Sequence, residues 1–334
     1  MRLPRFTPAQ THAFALASLV LLALIVFSGA AVRLTGSGLA CPSWPQCNDQ
    51  VITASQPEWI EFGNRLVSAL VGLVAILVFV AMWRRDPRDK TLVRLSAIPA
   101  LGVAGQGALG ALTVYYHLRP GFVIAHFLLS FAILIGAALL VWRSRHPSGW
   151  RPRSTDRVSV WGVRALAPLV TLIVLLGTFA TGAGPHPGSR ATGEVTDRIT
   201  WFGGETLRLL ILRHGHLGTA TLIFTAGLIY VLWRRNAPQA LIKRLVLLVG
   251  VYLVQGAVGL YQYYNGLPAE VVWVHIVLAT CIWLLMIFAV FEAGRLEPRG
   301  AAAGAGGDTR AADDAAAAKP GDTPPSGALT GPAS

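Results

Sequence analysis

Three histidines lie inside long apolar runs of the sequence, at His126, His216 and His275. Neutral imidazole is a common axial ligand of haem iron, and ionisable residues inside apolar spans often mark functional sites. One such histidine can simply hydrogen-bond a neighbouring helix, but three at similar depth favour a shared ligand. We expect His216 and His275 to bind one haem from its two sides. His214, two residues from His216, should point to another face of its helix, toward a loop or a haem propionate.

A carboxylate and a base lie at the corresponding place in the first half of the chain. Asn64 occupies the position that matches His216, Glu61 lies one helical turn before it, and Arg65 follows it. These residues could form a solvated rim at a helix end. Alternatively, a carboxylate beside a haem pocket accepts a proton or stabilises positive charge. The sequence leaves both interpretations open.

Two cysteines, Cys41 and Cys47, flank the short segment Pro-Ser-Trp-Pro-Gln. Outside the cytoplasm, two cysteines at this spacing can form a disulfide. Such a disulfide could be a structural staple or an exchangeable thiol pair that handles electrons. Cys281 lies alone in an apolar run, where we expect it to contribute packing.

The elements that must position these residues are membrane helices. Hydrophobic residues make up 54% of the 334 residues and charged residues 13%, against roughly 25% charged in an ordinary globular domain. This excludes a soluble enzyme, a nucleic-acid-binding module and a disulfide-rich secreted domain. Eight runs without Asp, Glu, Lys or Arg approach or exceed the roughly 20 residues that cross a bilayer core, and in lipid such runs are helices. The runs are 13–32, 66–83, 95–118, 120–142, 165–189, 214–233, 245–269 and 271–291.

Basic residues indicate how the helices are oriented. With the amino terminus in the cytoplasm, only seven of the 28 Lys and Arg residues fall in outer segments. Cytoplasmic segments carry the basic excess in membrane proteins. Both termini are therefore predicted to be cytoplasmic, and the three histidines fall near the outer ends of their helices.

The chain contains an internal duplication. The segment 106–110, Gln-Gly-Ala-Leu-Gly, recurs as Gln-Gly-Ala-Val-Gly at 255–259, and His126 recurs as His275 at the same offset. Four helices in each half give both halves the same orientation. We predict an all-α integral membrane protein whose eight transmembrane helices form two tandem, parallel-repeat four-helix bundles. The small residues of the repeated segment favour close helix contact.

This organisation divides the chain into four parts. An N-terminal four-helix half covers 1–145, a cytoplasmic linker 146–164 and a C-terminal four-helix half 165–293. Residues 294–334 should be a disordered cytoplasmic tail, because their composition cannot bury a core.

Together these motifs make the chain similar to the haem A synthase family over about residues 13–293. The most specific parts are the segment 36–42, Gly-Ser-Gly-Leu-Ala-Cys-Pro, the helix 2 motif from Glu61 to Arg65, and the histidines of helices 4, 6 and 8. The family motif in helix 2 is usually Glu-x-x-His-Arg. The chain therefore resembles a bacterial type with Asn64 in place of the first histidine. Its third outer loop also lacks the second cysteine pair that the family often has.

The resemblance implies oxidation of a ring methyl of haem O to a formyl group, which gives haem A for cytochrome oxidase biogenesis. It implies a haem b in the C-terminal half, bound by His216 and His275, and a substrate haem in the N-terminal half. Glu61 would take the catalytic role. The residues implied at the substrate haem are His126, on its iron, Asn64 and Arg65.

The resemblance also implies partners and a location. Haem O would come from a haem O synthase in the same bacterial cell membrane, and the haem sites would lie toward the outer face. The oxidation needs an electron acceptor, lipid surrounds the helices, a homo-oligomer is compatible with the sequence, and no nucleic-acid partner is expected. The alternative function is a b-type cytochrome that only transfers electrons across the membrane, since two histidines on one haem suit that role equally. Such a cytochrome would not need Glu61 or the cysteine pair.

Overall fold

The structure is a computed structural model that describes residues 5–41, 43, 47, 55–146 and 152–297. Residues Met1–Arg295 form one compact unit. The second unit is Leu296–Ser334, of which only Leu296 and Glu297 are described. The tail predicted for 294–334 therefore lies almost entirely outside the described residues.

The described residues of the compact unit form eight long α-helices, and these correspond to the eight uncharged runs. Each is long and apolar enough to cross a membrane, so the prediction of an all-α, multi-pass membrane protein is confirmed. The helices are α1 (Pro8–Leu34), α2 (Gln56–Trp83), α3 (Lys90–Tyr115), α4 (Pro120–Arg145), α5 (Arg157–Ala183), α6 (Thr206–Arg234), α7 (Gln239–Tyr264) and α8 (Ala269–Glu292). The remaining regular elements of the described part are the 3-10 helices Arg190–Thr192 and Gly203–Glu205 and the two-residue strands β1 (Arg153–Ser154) and β2 (Arg295–Leu296).

Some helices begin well before their uncharged runs. Helix α2 begins at Gln56 and α5 at Arg157, so residues 157–164 of the predicted linker are helical. Charged residues end the uncharged runs but do not end the helices, because a long side chain near a helix end reaches polar surroundings or a partner. Arg164 of α5, for example, donates to the carbonyl of Gly294 at 3.2 Å.

Side chains at the helix starts fix where several helices begin. Thr7 and Gln10 form a capping box at α1, and Asp89 accepts the first backbone N–H groups of α3. Asp156 caps α5 in the same way. It also accepts two bonds of 2.9 Å from the guanidinium of Arg235, just after α6. These bonds hold the pKa of Asp156 well below its usual range and tie the start of α5 to the end of α6.

The helices pack as two rings of four. In the first half α1 contacts α2, α2 contacts α3, α3 contacts α4, and α4 returns to α1; helices α5 to α8 repeat this order. The halves meet where α8 packs against α1 and α4, and where α4 packs against α5. At this seam the Trp283 indole N–H donates to the Phe131 carbonyl at 3.0 Å. In both halves the helices thus contact each other as in a four-helix bundle. The symmetry axis that would relate the two halves stays a prediction.

Backbone hydrogen bonds join the segments that follow α1 and α5. The Gly38 N–H donates to the Gly188 carbonyl at 2.7 Å, and the Ala191 N–H to the Gly36 carbonyl at 3.1 Å. Gly36 has a φ of +77°, and a Cβ there would lie 2.9 Å from the Ala191 nitrogen. A side chain at this position would therefore be strained twice over.

Glycines of α3 test the packing against α4. At Gly102 a Cβ would lie 2.6 Å from Cγ1 of the buried Ile133, whereas at Gly105 it would lie 3.8 Å from Cδ2 of Leu129. Alanine stabilises a helix interior by about 1 kcal/mol over glycine, but overpacking costs about 1–3 kcal/mol. We expect Gly102→Ala to lower the thermal unfolding temperature in detergent and the matched control Gly105→Ala to keep or raise it. Equal unfolding temperatures for the two variants would contradict this packing.

Candidate functional site

All eight helices line one cavity of about 1170 Å³. This exceeds the roughly 300–1,000 Å³ of typical small-molecule sites. The predicted site residues of both halves lie along its wall, including pairs more than 200 positions apart in the chain. They are Glu61, Asn64, Arg65, His126, His216 and His275.

In the second half, the imidazoles of His214 and His275 lie next to each other, with ring centroids 5.9 Å apart. Nδ1 of His214 lies 2.9 Å from the carbonyl oxygen of Ile173 on α5. Because a carbonyl can only accept, Nδ1 carries the proton and Nε2 keeps its lone pair. A backbone carbonyl on one ring nitrogen is the usual arrangement that orients a metal-binding histidine.

The histidine next to His275 is thus not the one expected from the sequence. His216 also lines the cavity, but its side chain is exposed. His214 was expected to point elsewhere, and instead its ring lies against Gly177, where a Cβ would be 3.0 Å from Cε1 of the imidazole. His214 and His216 are two positions apart on α6. The rotation of α6 about its own axis therefore determines which of them lies beside α8.

In the first half, the ring of His126 on α4 packs against α3 in the same way as the ring of His275 on α8 packs against α7. A Cβ at Gly110 would lie 3.4 Å from Cε1 of His126, and a Cβ at Gly259 would lie 3.4 Å from Cε1 of His275. Nδ1 of each of these imidazoles is buried and has no hydrogen-bond partner in the described structure. The repeated glycines therefore make room for the histidine rings, in addition to the helix packing expected of them.

A repeated glutamine holds the backbone of each of these histidines. Nε2 of Gln106 donates to the His126 carbonyl at 2.9 Å, and Nε2 of Gln255 donates to the His275 carbonyl at 3.1 Å. The spacing of 20 residues from glutamine to histidine is the same in both halves. This equal spacing was the signal in the sequence that could have identified the glutamines as positioning residues.

Glu61 is buried, with 5% of its surface exposed, so it is not part of a solvated rim. The backbone N–H of Cys41 donates to Oε2 of Glu61 at 2.9 Å, and Arg65 donates to Oε1 at 2.5 Å. Arg65 also donates to the carbonyls of Ser43 and Cys41. The segment that follows α1 therefore fixes one carboxylate oxygen directly and the other through Arg65, whose guanidinium it holds.

Asn64 contacts α1 rather than Glu61 on its own helix. Its Oδ1 accepts a hydrogen bond of 2.8 Å from the Ser28 hydroxyl. This leaves the side-chain NH₂ of Asn64, with two donors, as the part of the amide that a ligand in the cavity can use. The helical spacing from Glu61 did not reveal this contact, because Ser28 belongs to a different helix.

A disulfide joins Cys41 and Cys47, whose Cα atoms are 4.7 Å apart. Cys41 is also the residue whose N–H contacts Glu61. Cys41 therefore links the disulfide-bonded loop to the buried carboxylate of Glu61. Cys281, the free cysteine of the described part, is half-buried in α8.

The donor set fits a haem better than a bare metal ion. Within the described ranges, no three His, Cys, Asp or Glu side chains form a metal-binding group, and a haem needs only axial ligands from the protein. Two imidazoles that bind one metal must line the same cavity and lie close to each other. The rings of His214 and His275 meet this requirement, with centroids 5.9 Å apart.

Comparison with known proteins agrees with this donor set. The chain matches the COX15-CtaA family of cytochrome oxidase assembly proteins over residues 12–185 and 214–317. A heme A synthase of Shewanella oneidensis is 26% identical over 299 residues, which cover 75% of this chain and 87% of that protein. A heme A synthase of Symbiobacterium thermophilum is 32% identical over 190 residues (52% and 60%), and one of Shouchella clausii is 35% identical over 130 residues (37% and 43%).

The family match covers most of the chain and most of the residues that line the cavity. It contains both disulfide cysteines, Glu61 and the histidines of α4, α6 and α8. It omits residues 186–213, which comprise the segment after α5 and the first turns of α6. This protein belongs to the family of cytochrome oxidase assembly proteins.

Proposed function

We propose that this protein is a haem A synthase, an oxidoreductase that converts one ring methyl of haem O to a formyl group. The observation that carries this proposal is the buried carboxylate of Glu61, fixed in the same cavity as His126, His214 and His275. An electron-transfer cytochrome needs two imidazoles per haem but no buried carboxylate beside a second imidazole. The relatives named heme A synthase support the same choice.

The proposed reaction needs a base or a negative charge near the methyl group. Conversion of a methyl to a formyl group with oxygen from water releases four protons and four electrons, and the electrons pass to a membrane acceptor. Glu61 stabilises positive charge that develops at the haem edge or accepts a proton. Each of its oxygens receives one hydrogen bond within the protein and keeps acceptor capacity for the substrate. Arg65 and the Cys41 N–H keep the carboxylate in one orientation.

His126 holds the substrate haem in this proposal, and Gln106 keeps the backbone of that histidine in place. Asn64 lies on α2 with its NH₂ group available to a water molecule on the other side of the substrate. A carboxamide is a poor haem ligand beside imidazole, because its nitrogen lone pair is delocalised. The substrate is therefore held from one side only, which suits a molecule that must be released.

The second half would hold a haem b, with His214 and His275 as its ligands. His214 replaces His216 in the ligand pair because its ring lies beside His275 and its Nδ1 is fixed by Ile173. Such a haem supplies one-electron redox chemistry when it is bound. In the protein, Gly177 and Gly259 make room for the two rings, and Gln255 orients α8.

The proposed location is a bacterial cell membrane with both termini in the cytoplasm and the haem sites toward the outer face. The Lys and Arg distribution supports this orientation, and the disulfide is consistent with a segment outside the cytoplasm. We favour a structural role for this disulfide, since it closes the loop whose first residue contacts Glu61. A haem O synthase in the same membrane is the natural supplier of the substrate.

The activity is tested by expression with a haem O synthase in a host that lacks haem A. Haems are then extracted from membranes and separated by chromatography. Haem A should accumulate with this protein and not with an empty vector. Haem O and haem B alone, with this protein present in the membrane, would favour the electron-transfer cytochrome.

The first prediction concerns the haem b ligands. His214→Ala and His275→Ala should each lose the sharp reduced bands of a six-coordinate, low-spin haem, because one axial nitrogen is removed. His216→Ala, the matched control on the same helix, should keep them. Reduced-minus-oxidised spectra of the purified variants measure this. Loss in His216→Ala with retention in His214→Ala would restore the pair expected from the sequence.

A second prediction separates Glu61 from haem binding. Glu61→Gln should keep the low-spin spectrum but yield less than about a hundredth of the haem A, because general acid–base groups contribute about 10²–10⁴-fold. Glu270→Gln, at an exposed position in the first turn of α8, serves as the control and should retain activity. Wild-type haem A yield from Glu61→Gln would remove Glu61 from the catalytic role.

A third prediction uses the asymmetry around the substrate. His126→Ala should abolish haem A formation, whereas Asn64→Ala should reduce it up to about tenfold, since one hydrogen bond is worth about 0.5–1.5 kcal/mol. Asn64→His should create a second low-spin centre when haem occupies the first half. Haem A yield and reduced spectra check all three variants. Full activity in His126→Ala would place the substrate elsewhere.

A further inference from the structure

Arg33, in the last turn of α1, lies on the wall of the cavity where the two halves meet. Its Nε donates to the His186 carbonyl at 3.0 Å, and one terminal nitrogen donates to the Thr181 carbonyl at 3.2 Å. Both acceptors are neutral and belong to the end of α5 and the segment after it. Arg33 forms no ion pair with any carboxylate of the described residues. The contacts orient the guanidinium but do not neutralise it.

The other charged groups of the cavity neutralise each other. Among the described residues that line it, the charged side chains are Arg33, Glu61 and Arg65, and the last two form an ion pair. This leaves one uncompensated positive charge, on the half-buried Arg33, in a largely apolar cavity. A buried charge is costly unless it is paired, so this wall of the cavity favours an anionic ligand.

We propose that Arg33 binds a propionate carboxylate of the substrate haem, an assignment that rests on the proposed function. A guanidinium presents several N–H donors in one plane, which suits a carboxylate, and charge-assisted bonds of this kind are strong. The segment after α1 connects this group to the catalytic candidate, because Cys41, eight residues after Arg33, contacts Glu61. Propionate binding at one end of this segment would therefore set the position of the porphyrin relative to the carboxylate at the other end.

Gly38, Gly184 and Gly188 line the cavity together with Arg33. A purely structural role for Arg33, as a link between α1 and the segment after α5, would use the same two carbonyls. The two roles differ in one respect, since only a ligand-binding role depends on the negative charge of the ligand.

The experiment compares haem O with its dimethyl ester, in which both propionates are neutral. The protein is purified with its own haem from a host that lacks haem O synthase, and each compound is titrated by difference spectroscopy. The wild type should bind haem O about 10- to 100-fold more tightly than the diester, as expected for a hydrogen bond to a charged group. Arg33→Gln should bind haem O as weakly as the diester, with its affinity for the diester unchanged.

Arg190→Gln is the matched control. Arg190 is an exposed arginine in the segment after α5, where it donates to the Pro185 carbonyl at 3.3 Å, and it is not among the residues that line the cavity. It should keep the wild-type preference for haem O. Arg33→Lys, which retains the charge, should keep part of this preference, and it decides the question if Arg33→Gln does not fold.

Three results would overturn the assignment. They are equal binding of the two compounds by the wild type, equal weakening of both in Arg33→Gln, and wild-type affinity for haem O in that variant. The outcome is separable from the proposed activity. A wild type that prefers haem O but makes no haem A would remove the activity and keep the anion site, whereas haem A formation without a preference would do the reverse.

Discussion

Close approach of an imidazole to the backbone of the neighbouring helix is the constraint on which this site depends. Three histidine rings lie against glycines, where a Cβ would come within 3.0–3.4 Å of the ring carbon Cε1. The pairs are Gly110 with His126, Gly177 with His214, and Gly259 with His275. A Cβ at Gly177 would already press on the ring of His214, and a side chain larger than alanine at Gly110 or Gly259 would push its ring into the cavity that has to receive a planar ligand. The glycines thus set both the helix spacing and the depth at which the imidazoles stand.

The two halves use the same scaffold for different purposes. In both, a glutamine on the third helix holds the carbonyl of a histidine on the fourth. The second helix is where they diverge, because His214 stands beside its partner histidine whereas Asn64 accepts a bond from Ser28. The first half adds Glu61, which the disulfide-bonded loop and Arg65 fix in place. The two halves therefore share the position of one histidine and differ in their second helix, which in the first half carries Glu61, the proposed catalytic residue.

The sequence was sufficient to predict the eight helices, because uncharged runs of this length have no other stable form in lipid. The uncharged run of α2 begins later than the helix itself, since Glu58, Glu61 and Arg65 lie within the helix. The residue types and the repeat also singled out His126, His216 and His275. Every predicted histidine lines the cavity.

Contacts between helices were beyond the reach of the sequence. His214 and His216 have the same chemistry, and only the rotation of α6 on Gly177 distinguishes them. The bond from the Cys41 backbone to Glu61 depends on the path of the loop after α1, and the motif at 36–42 identifies this loop without specifying its path. In the sequence, Arg33 resembles any basic residue at a helix end. Its neutral partners, at the end of α5 and in the segment after it, are known only from the structure.

The most direct test of this account is an experimental density map of the purified protein with its bound haem. We expect planar density between α6 and α8, with His214 and His275 as the side chains that bind its central metal. We also expect Glu61 on the wall of the same cavity. A map in which His216 binds the metal, or in which the haem lies outside the cavity, would contradict it.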